Sequence, residues 1–319
     1  MPSDPVRFGY RLPIWDPKGT SATEWWPRLL HQLDVLPPAF ESVWLADHFV
    51  PGADWMPADT DTLEAWTAAC FLAASYPRLR VGHLVLANSF RHPALLAKMS
   101  STFQFLSGGR FVLGLGAGWM EREYRAFGFD FPPTRVRLAQ LDESLSIIRG
   151  LWVGARFTQT GEHYALEDAV MRPTPTPPPP ILIGTGGEEV GLRLVARHAD
   201  WWNASGLPVE AFRRKAAVLR ARCEEIDRDP EEVLLTWQGQ RVAIADSNAE
   251  AQRIADANPM AQLTLNEPAL VGTPELVAEM LGEYVAAGAR YFMLRFADFP
   301  STEGFMRFAA EVAPRLDPS

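Results

Sequence analysis

The chain has 319 residues, a formal net charge of −9 and two cysteines, Cys70 and Cys223. That acidic balance argues against a nucleic acid or an anionic membrane as partner, because affinity for either comes from clustered Lys and Arg. The cysteines form no disulfide framework or metal spacing and read as small buried residues in a reducing compartment, and neither a leader nor a membrane span is visible, which predicts a soluble cytoplasmic protein.

In chain order, residues 6–12 predict a first strand and 25–36 a helix closed by Pro37 and Pro38. Residues 42–46 predict a second strand running into Asp47, His48, Pro51 and Gly52, followed by a helix over 62–75. The apolar, β-branched run 81–87 predicts a third strand that stops at Asn88 and Ser89. Pro93 suits a first helical turn, and Leu95, Leu96, Met99, Phe103 and Leu106 recur at helical spacing until Gly108 and Gly109 end the helix. Residues 111–118 predict a fourth strand in which Gly114, Gly116 and Gly118 alternate with Leu113, Leu115 and Ala117. Alternation strips one face of that strand, leaving room either for close packing or for a flat ligand.

Past Trp119 strict alternation lapses. A helix over 135–152 carries Leu138, Leu141, Leu145, Ile148 and Trp152 on one face; 154–171 reads as a hairpin, and 173–180 as a stiff polyproline II connector rather than a ligand for a partner. A fifth strand over 181–183 leads into Gly184, Thr185, Gly186 and Gly187 and a helix to His198, and 200–204 predicts a sixth strand. The helix over 210–226 carries Phe212, Ala216, Leu219, Cys223 and Ile226 at helical spacing, and its opposite, basic face of Arg213, Arg214, Lys215 and Arg222 reads as solvated charge. A seventh strand lies within 232–245, and 248–270 shows no clear pattern. Thr273 and Pro274 cap a helix ended by Gly288, and 290–296 predicts an eighth strand. Eight strands alternating with helices, without a composition break, predict a single (β/α)₈ TIM barrel over residues 1–319, with a doubly wound open sheet as the alternative.

Functional groups in such a barrel gather at the C-terminal ends of the strands. The candidates are Asp47 with His48, Asn88 with Arg91 and His92, the corner at 118–121, the loop at 184–187, and Trp202 with Asn203. His48 can serve as an acid, a base or a hydrogen-bond donor and the preceding Asp47 is placed to bias its protonation, whereas His83, in mid-strand, reads as structural. Backbone N–H groups of the 184–187 loop would converge on an anion such as a phosphate, with Glu188 and Glu189 opposing it; a plain tight turn is the alternative. No metal spacing, Walker loop or nucleophile elbow is present. Trp15, Trp44, Trp55, Trp119, Trp201 and Trp202 fall near strand ends or loops, where aromatic walls suit a flat cofactor, although core packing accounts for part of them.

The run SFRHPALLAKMSSTFQFLSGGRFVLGLGAGWMEREYRAFG resembles the hallmark segment of the luciferase-like monooxygenase superfamily. More closely, it is similar to the branch of oxidoreductases that use the deazaflavin coenzyme F420. SVWLADHF, RPTPTPPPPILIGTGGE, HADWWNASG and VGTPELVAEMLGEYVAAGARYFMLR extend the resemblance over almost the whole chain. It implies a (β/α)₈ barrel with an insertion after the fourth strand, commonly a homodimer, binding coenzyme F420 or, alternatively, FMN.

Carried over by position, the resemblance places Asp47 and His48 beside the cofactor ring and the reacting carbon. Leu84 and Val85 would form a bulge behind the ring, often a non-prolyl cis peptide in relatives, and Asn88 would meet the ring's polar edge. Gly118 would border the ring, with Trp119, Met120, Trp202 and Asn203 around the substrate, and Gly184, Thr185, Gly186 and Gly187 would hold the cofactor phosphate. Relatives that oxidise phosphorylated glucose carry Glu where Trp119 stands, so that substrate is not expected here. The implied reaction is hydride transfer between C5 of the deazaflavin and a small organic substrate, with His48 as proton donor or acceptor. FMN would turn the same pocket to monooxygenation, and a non-catalytic flavin or deazaflavin carrier is the remaining alternative. The segments 52–60, 156–171 and 257–270 are expected to shape the substrate pocket.

Overall fold

A computed structural model describes residues 5–52, 56–259 and 268–316. Among them run the parallel strands β1 (Arg7–Arg11), β2 (Phe40–Leu45), β3 (Arg80–His83), β4 (Phe111–Gly116), β5 (Ile181–Gly184), β6 (Trp201–Ser205), β7 (Leu234–Ile244) and β8 (Tyr291–Phe296). Each pairs with the next, and β8 returns to β1 through Tyr10 and Leu294, so the sheet closes into the expected (β/α)₈ barrel rather than an open sheet. Helices α1 (Ala22–Asp34), α2 (Ala65–Ser75), α3 (Pro93–Leu106), α4 (Glu121–Ala126), α5 (Thr134–Trp152), α6 (Gly191–His198), α7 (Val209–Glu224), α8 (Asn248–Asp256) and α9 (Pro274–Ala286) lie between the strands. No helix among the described residues is long and apolar enough to cross a membrane.

Side-chain direction alternates along each strand, and that period sorts the core into two clusters. Phe8, Tyr10, Phe40, Phe111, Ile181, Ile183, Phe292 and Leu294 point outward into one large cluster with the helices. Trp44, Leu84, Val112, Leu182, Trp201, Tyr291 and Met293 point inward and fill the barrel. Trp44 is the centre of that plug. A Cβ added to Gly9 or to Gly82, on the two neighbouring strands, would lie 2.4 Å from its indole, so these glycines leave the room it occupies. Its Nε1 donates to Ser42 Oγ at 2.6 Å, and the Tyr291 hydroxyl donates to the same oxygen at 2.7 Å.

The third strand departs from its expected run. β3 stops at His83, the Leu84–Val85 peptide is cis, and pairing with β4 resumes at Leu86 and Ala87. The bare face of β4 receives this interruption: a Cβ on Gly114 would sit 1.9 Å from the His83 carbonyl oxygen, and one on Gly116 would sit 2.7 Å from Val85 Cγ2. Close packing against the interrupted strand, by its backbone at Gly114 and by the Val85 side chain at Gly116, therefore accounts for these two glycines.

Between β4 and β5 the chain carries α4, α5 and an antiparallel hairpin of Phe157–Thr160 with Ala165–Ala169. The proline run that follows is not a uniform polyproline II helix, because the Arg172–Pro173 and Thr176–Pro177 peptides are cis. It is clipped along α3, where Ser101 Oγ donates to Pro173 O and Gln104 Nε2 donates to Pro177 O at 3.0 Å, as a connector and not an exposed ligand. Of the two free cysteines, Cys223 is buried as expected and Cys70 is exposed, because it falls on the solvent side of α2.

His83 points out of the barrel and stacks on Trp66, with ring centroids 5.4 Å apart. Burial pushes its imidazole down from 6.5 to about 4. The unfolded chain therefore binds a proton that the folded chain refuses, and stability falls as pH drops through that window, by at most about 1.4 kcal/mol per pH unit. Urea midpoints followed from neutral to acid pH should fall less steeply for His83→Phe; parallel curves for the two proteins would remove His83 from the acid response.

Candidate active site

A cavity of about 880 Å³ opens at the C-terminal ends of the strands. One side is apolar, where Leu84 and Val85 project from the interrupted third strand, backed by Gly116 and Gly184. The opposite side is polar because β7 stands across the barrel from β3. It presents Asn203, Ser205, Gln238, Gln240, Arg11 and Arg295 from the inward positions of β6, β7, β1 and β8. Thr236 Oγ1 donates to Asn203 Oδ1 at 3.2 Å, Asn203 Nδ2 donates to Gln238 Oε1 at 3.2 Å, and Gln238 Nε2 donates to Ser205 Oγ at 2.8 Å, so this wall is a connected network. Among these wall residues only Asn203 was expected at the site.

His48 lines the cavity just beyond β2, and its ring Nδ1 lies 3.1 Å from Glu123 Oε2. Glu123, on α4, is buried, and its other oxygen accepts from the backbone N–H groups of Phe49 and of Val50, the latter at 3.3 Å. Two acceptors cannot bond to each other, so the proton of the neutral imidazole belongs on Nδ1 and Nε2 is the nitrogen left to exchange one. The acid that orients His48 is thus Glu123 and not the expected Asp47. Asp47 turns the other way: it takes both Arg91 Nη1 at 2.8 Å and Arg91 Nη2 at 3.1 Å, and accepts from Ala87 N at 3.0 Å. Arg91 also reaches Glu64 at 2.6 Å, and Glu64 caps α2.

The tryptophans divide by strand parity. Trp15 and Trp119 stand edge-on to the His48 ring, with centroids 6.2 and 5.7 Å away, and Trp119 is 64% exposed at the mouth with Met120 buried beside it. Trp44 and Trp201 belong to the barrel plug. Trp202, expected in the substrate pocket, faces outward instead: its Nε1 donates to Thr185 O at 2.9 Å and its ring stacks on Phe212, since it is one residue out of phase with the inward Asn203. Trp55 and parts of the segments 52–60 and 257–270 lie outside the described residues.

Gly118 lines the cavity with φ +76°, and a Cβ there would fall 1.8 Å from the Tyr124 hydroxyl, so only glycine fits. Asn88 is buried beside the lining residue Ala87 rather than on the wall itself, and both polar atoms of its amide lack a hydrogen bond among the described residues. Gly184, Thr185, Gly186 and Gly187 form the far rim. Nothing lies within 4 Å of a Cβ placed on Gly186. α6 begins only at Gly191, later than expected, after a turn at Glu188 and Glu189. Lys215 Nζ donates to Gly186 O at 2.6 Å and to Glu188 Oε1 at 2.9 Å, and Arg214 adds a contact at 3.2 Å. These partners, Lys215 foremost, hold the Glu188 carboxyl below its usual range. Part of the α7 basic face, expected as solvated charge, thereby offsets the glutamate that would oppose an anion at the loop. Among the described residues no group of three or more His, Cys, Asp or Glu side chains is placed to hold a metal.

An interrupted third strand, a glycine-bare fourth strand and a deep cavity at the strand ends define a (β/α)₈ barrel with a mouth sized for ligands. Residues 38–264 match the model of the luciferase-like monooxygenase family, and the chain belongs to that family. It is 28% identical to the F420-dependent glucose-6-phosphate dehydrogenase of Kineococcus radiotolerans, with 98% of each chain covered. It is 29% identical to a pyrimidine monooxygenase of Stutzerimonas stutzeri, covering 80% of this chain and 79% of that one. The structure of an F420-dependent secondary alcohol dehydrogenase with an F420–acetone adduct has the same fold, with a TM-score of 0.79 at 19% identity over 98% of this chain and 99% of that one.

Proposed function

We propose that the chain is an oxidoreductase that uses coenzyme F420 to move a hydride to or from a small organic substrate. The observation that carries this reading is the His48–Glu123 pair set in the same cavity as the Leu84–Val85 projection. End-to-end similarity to an F420-dependent dehydrogenase supports the choice of cofactor. The residues fit the group: the cavity falls within the range of about 300–1,000 Å³ typical of ligand sites. Leu84 and Val85 offer apolar surface to one face of a ring, and the backbone at Gly186 has open space for a phosphate with Lys215 alongside.

When bound, the deazaflavin supplies a two-electron hydride acceptor or donor. The chain supplies the proton chemistry and the positioning. His48 Nε2 takes the hydroxyl proton of an alcohol undergoing oxidation, or returns one to a carbonyl undergoing reduction, and Glu123 stabilises the imidazolium in between. Trp15 and Trp119 hold the imidazole edge-on at the mouth. Trp119 and Met120, with Asn203 opposite, border the substrate. A homodimer in the cytoplasm belongs to the same reading.

The second reading, an FMN-dependent monooxygenase, is favoured by the pyrimidine monooxygenase relative. Titrating the purified chain with F420 and with FMN, and following tryptophan fluorescence, separates the two. F420 should bind more tightly by about tenfold or more, equivalent to about 1.4 kcal/mol. Tight binding of FMN alone overturns the proposal. F420 binding without any cofactor reduction by a panel of alcohols identifies a carrier.

A further inference from the structure

The apolar projection of Leu84 and Val85 is held at both of its ends by the strand that leads to His48. Leu84 N donates to Leu45 O at 2.7 Å, and Ala87 N donates to Asp47 Oδ2 at 3.0 Å. Leu45 closes β2 and Asp47 immediately precedes His48, so one short stretch of backbone carries the imidazole and both anchors of the projection. The first anchor is a backbone carbonyl and goes wherever the strand goes. The second is a side chain, and its direction depends on what holds the carboxylate.

Arg91 holds it. Its Nη1 and Nη2 meet the two oxygens of Asp47 at 2.8 and 3.1 Å, and the carboxylate is buried. Nη2 also donates to Glu64 Oε1 at 2.6 Å, and Glu64 is itself fixed by the amides of Trp66 and Thr67 at the start of α2. Arg91 is not one of the residues lining the cavity. A buried ion pair is by itself a poor stabiliser, since an apolar pair of similar volume often does as well. What a guanidinium adds over a point charge is planar, bidentate direction.

We propose that Arg91 is a positioning residue: by pinning both oxygens of Asp47 it holds Ala87, and with it the Leu84–Val85 projection, at a fixed separation from His48. The consequence for turnover rests on the oxidoreductase reading above, in which the projection backs the ring and His48 exchanges the proton; the effect on the segment itself does not. In that reading the substrate carbon lies against the ring while its oxygen reaches His48, so a misplacement of about 1 Å between the two costs up to about 10²-fold in rate.

Arg91→Lys keeps the charge, loses the fork and leaves every cavity-lining residue in place. Hydrogen exchange of the Ala87 amide, followed by NMR without cofactor, should become about tenfold or more faster, while the amides of β8 keep their protection. At saturating F420, kcat with the most active alcohol of the panel should fall by about tenfold or more. Asp47→Asn combined with Arg91→Met removes both charges, so its urea midpoint should stay near that of the parent while both losses appear; it decides the matter should the lysine variant not fold. Parental exchange at Ala87 in either folded variant overturns the proposal. Equal loss of protection in β8 marks a merely structural role and overturns it too, as does an unchanged kcat beside faster exchange. Selectively faster exchange at Ala87 in a chain whose parent shows no F420-dependent turnover overturns the oxidoreductase reading and leaves the positioning role standing.

Discussion

Alanine in place of His48 is expected to lower kcat with F420 by about 10²–10⁴-fold, the contribution of a well-placed proton donor or acceptor. The size of the effect follows from the tautomer. Glu123 occupies Nδ1, so the imidazole presents a single exchangeable nitrogen to the cavity, and among the described residues no other histidine lines it. Cofactor affinity, read separately by tryptophan fluorescence, should change by less than about twofold, since proton transfer is a property of the transition state and not of the resting complex. A His48→Ala protein with undiminished kcat would take the imidazole out of the reaction.

Trp44→Ala is expected to destabilise the fold by about 3–5 kcal/mol, the range for emptying a large buried aromatic site. Relaxation cannot recover much of this loss. The indole is flanked by Gly9 and Gly82, which have no side chains to move into the void, and its removal also strips a hydrogen bond from Ser42 Oγ. Chemical denaturation of the two proteins measures the difference. A loss under about 1 kcal/mol would mean that the strands can close inward and that the barrel interior is far softer than its packing indicates.

Legibility in the sequence followed the range over which each signal acts. Hydrophobic period, prolines at helix starts and glycines at helix ends are local, and they were enough for the eight strands and the barrel. The interruption at Leu84–Val85 escapes such reading, because it depends on glycines of a different strand standing opposite. Trp202 shows how a single residue of phase reverses an assignment: Asn203 faces the cavity and its neighbour faces α7. The same period applied to β1 and β8 would have brought Arg11 and Arg295 to notice. Glu123 was the hardest to see, since it looks like an ordinary helix-surface acid and meets His48 only across 75 residues of chain.

The segment after β2 is tied down on two sides. Asp47 fixes its beginning to Arg91 and to the backbone of Ala87, and Glu123 gathers the amides of Phe49 and Val50 from the direction of α4. His48 sits between these moorings like a deck plank on two piers. A substrate arriving at this mouth meets an imidazole already facing it, so little of its binding energy is diverted to ordering the loop, and variation in the outer rim can change what enters without re-aiming the residue that waits inside.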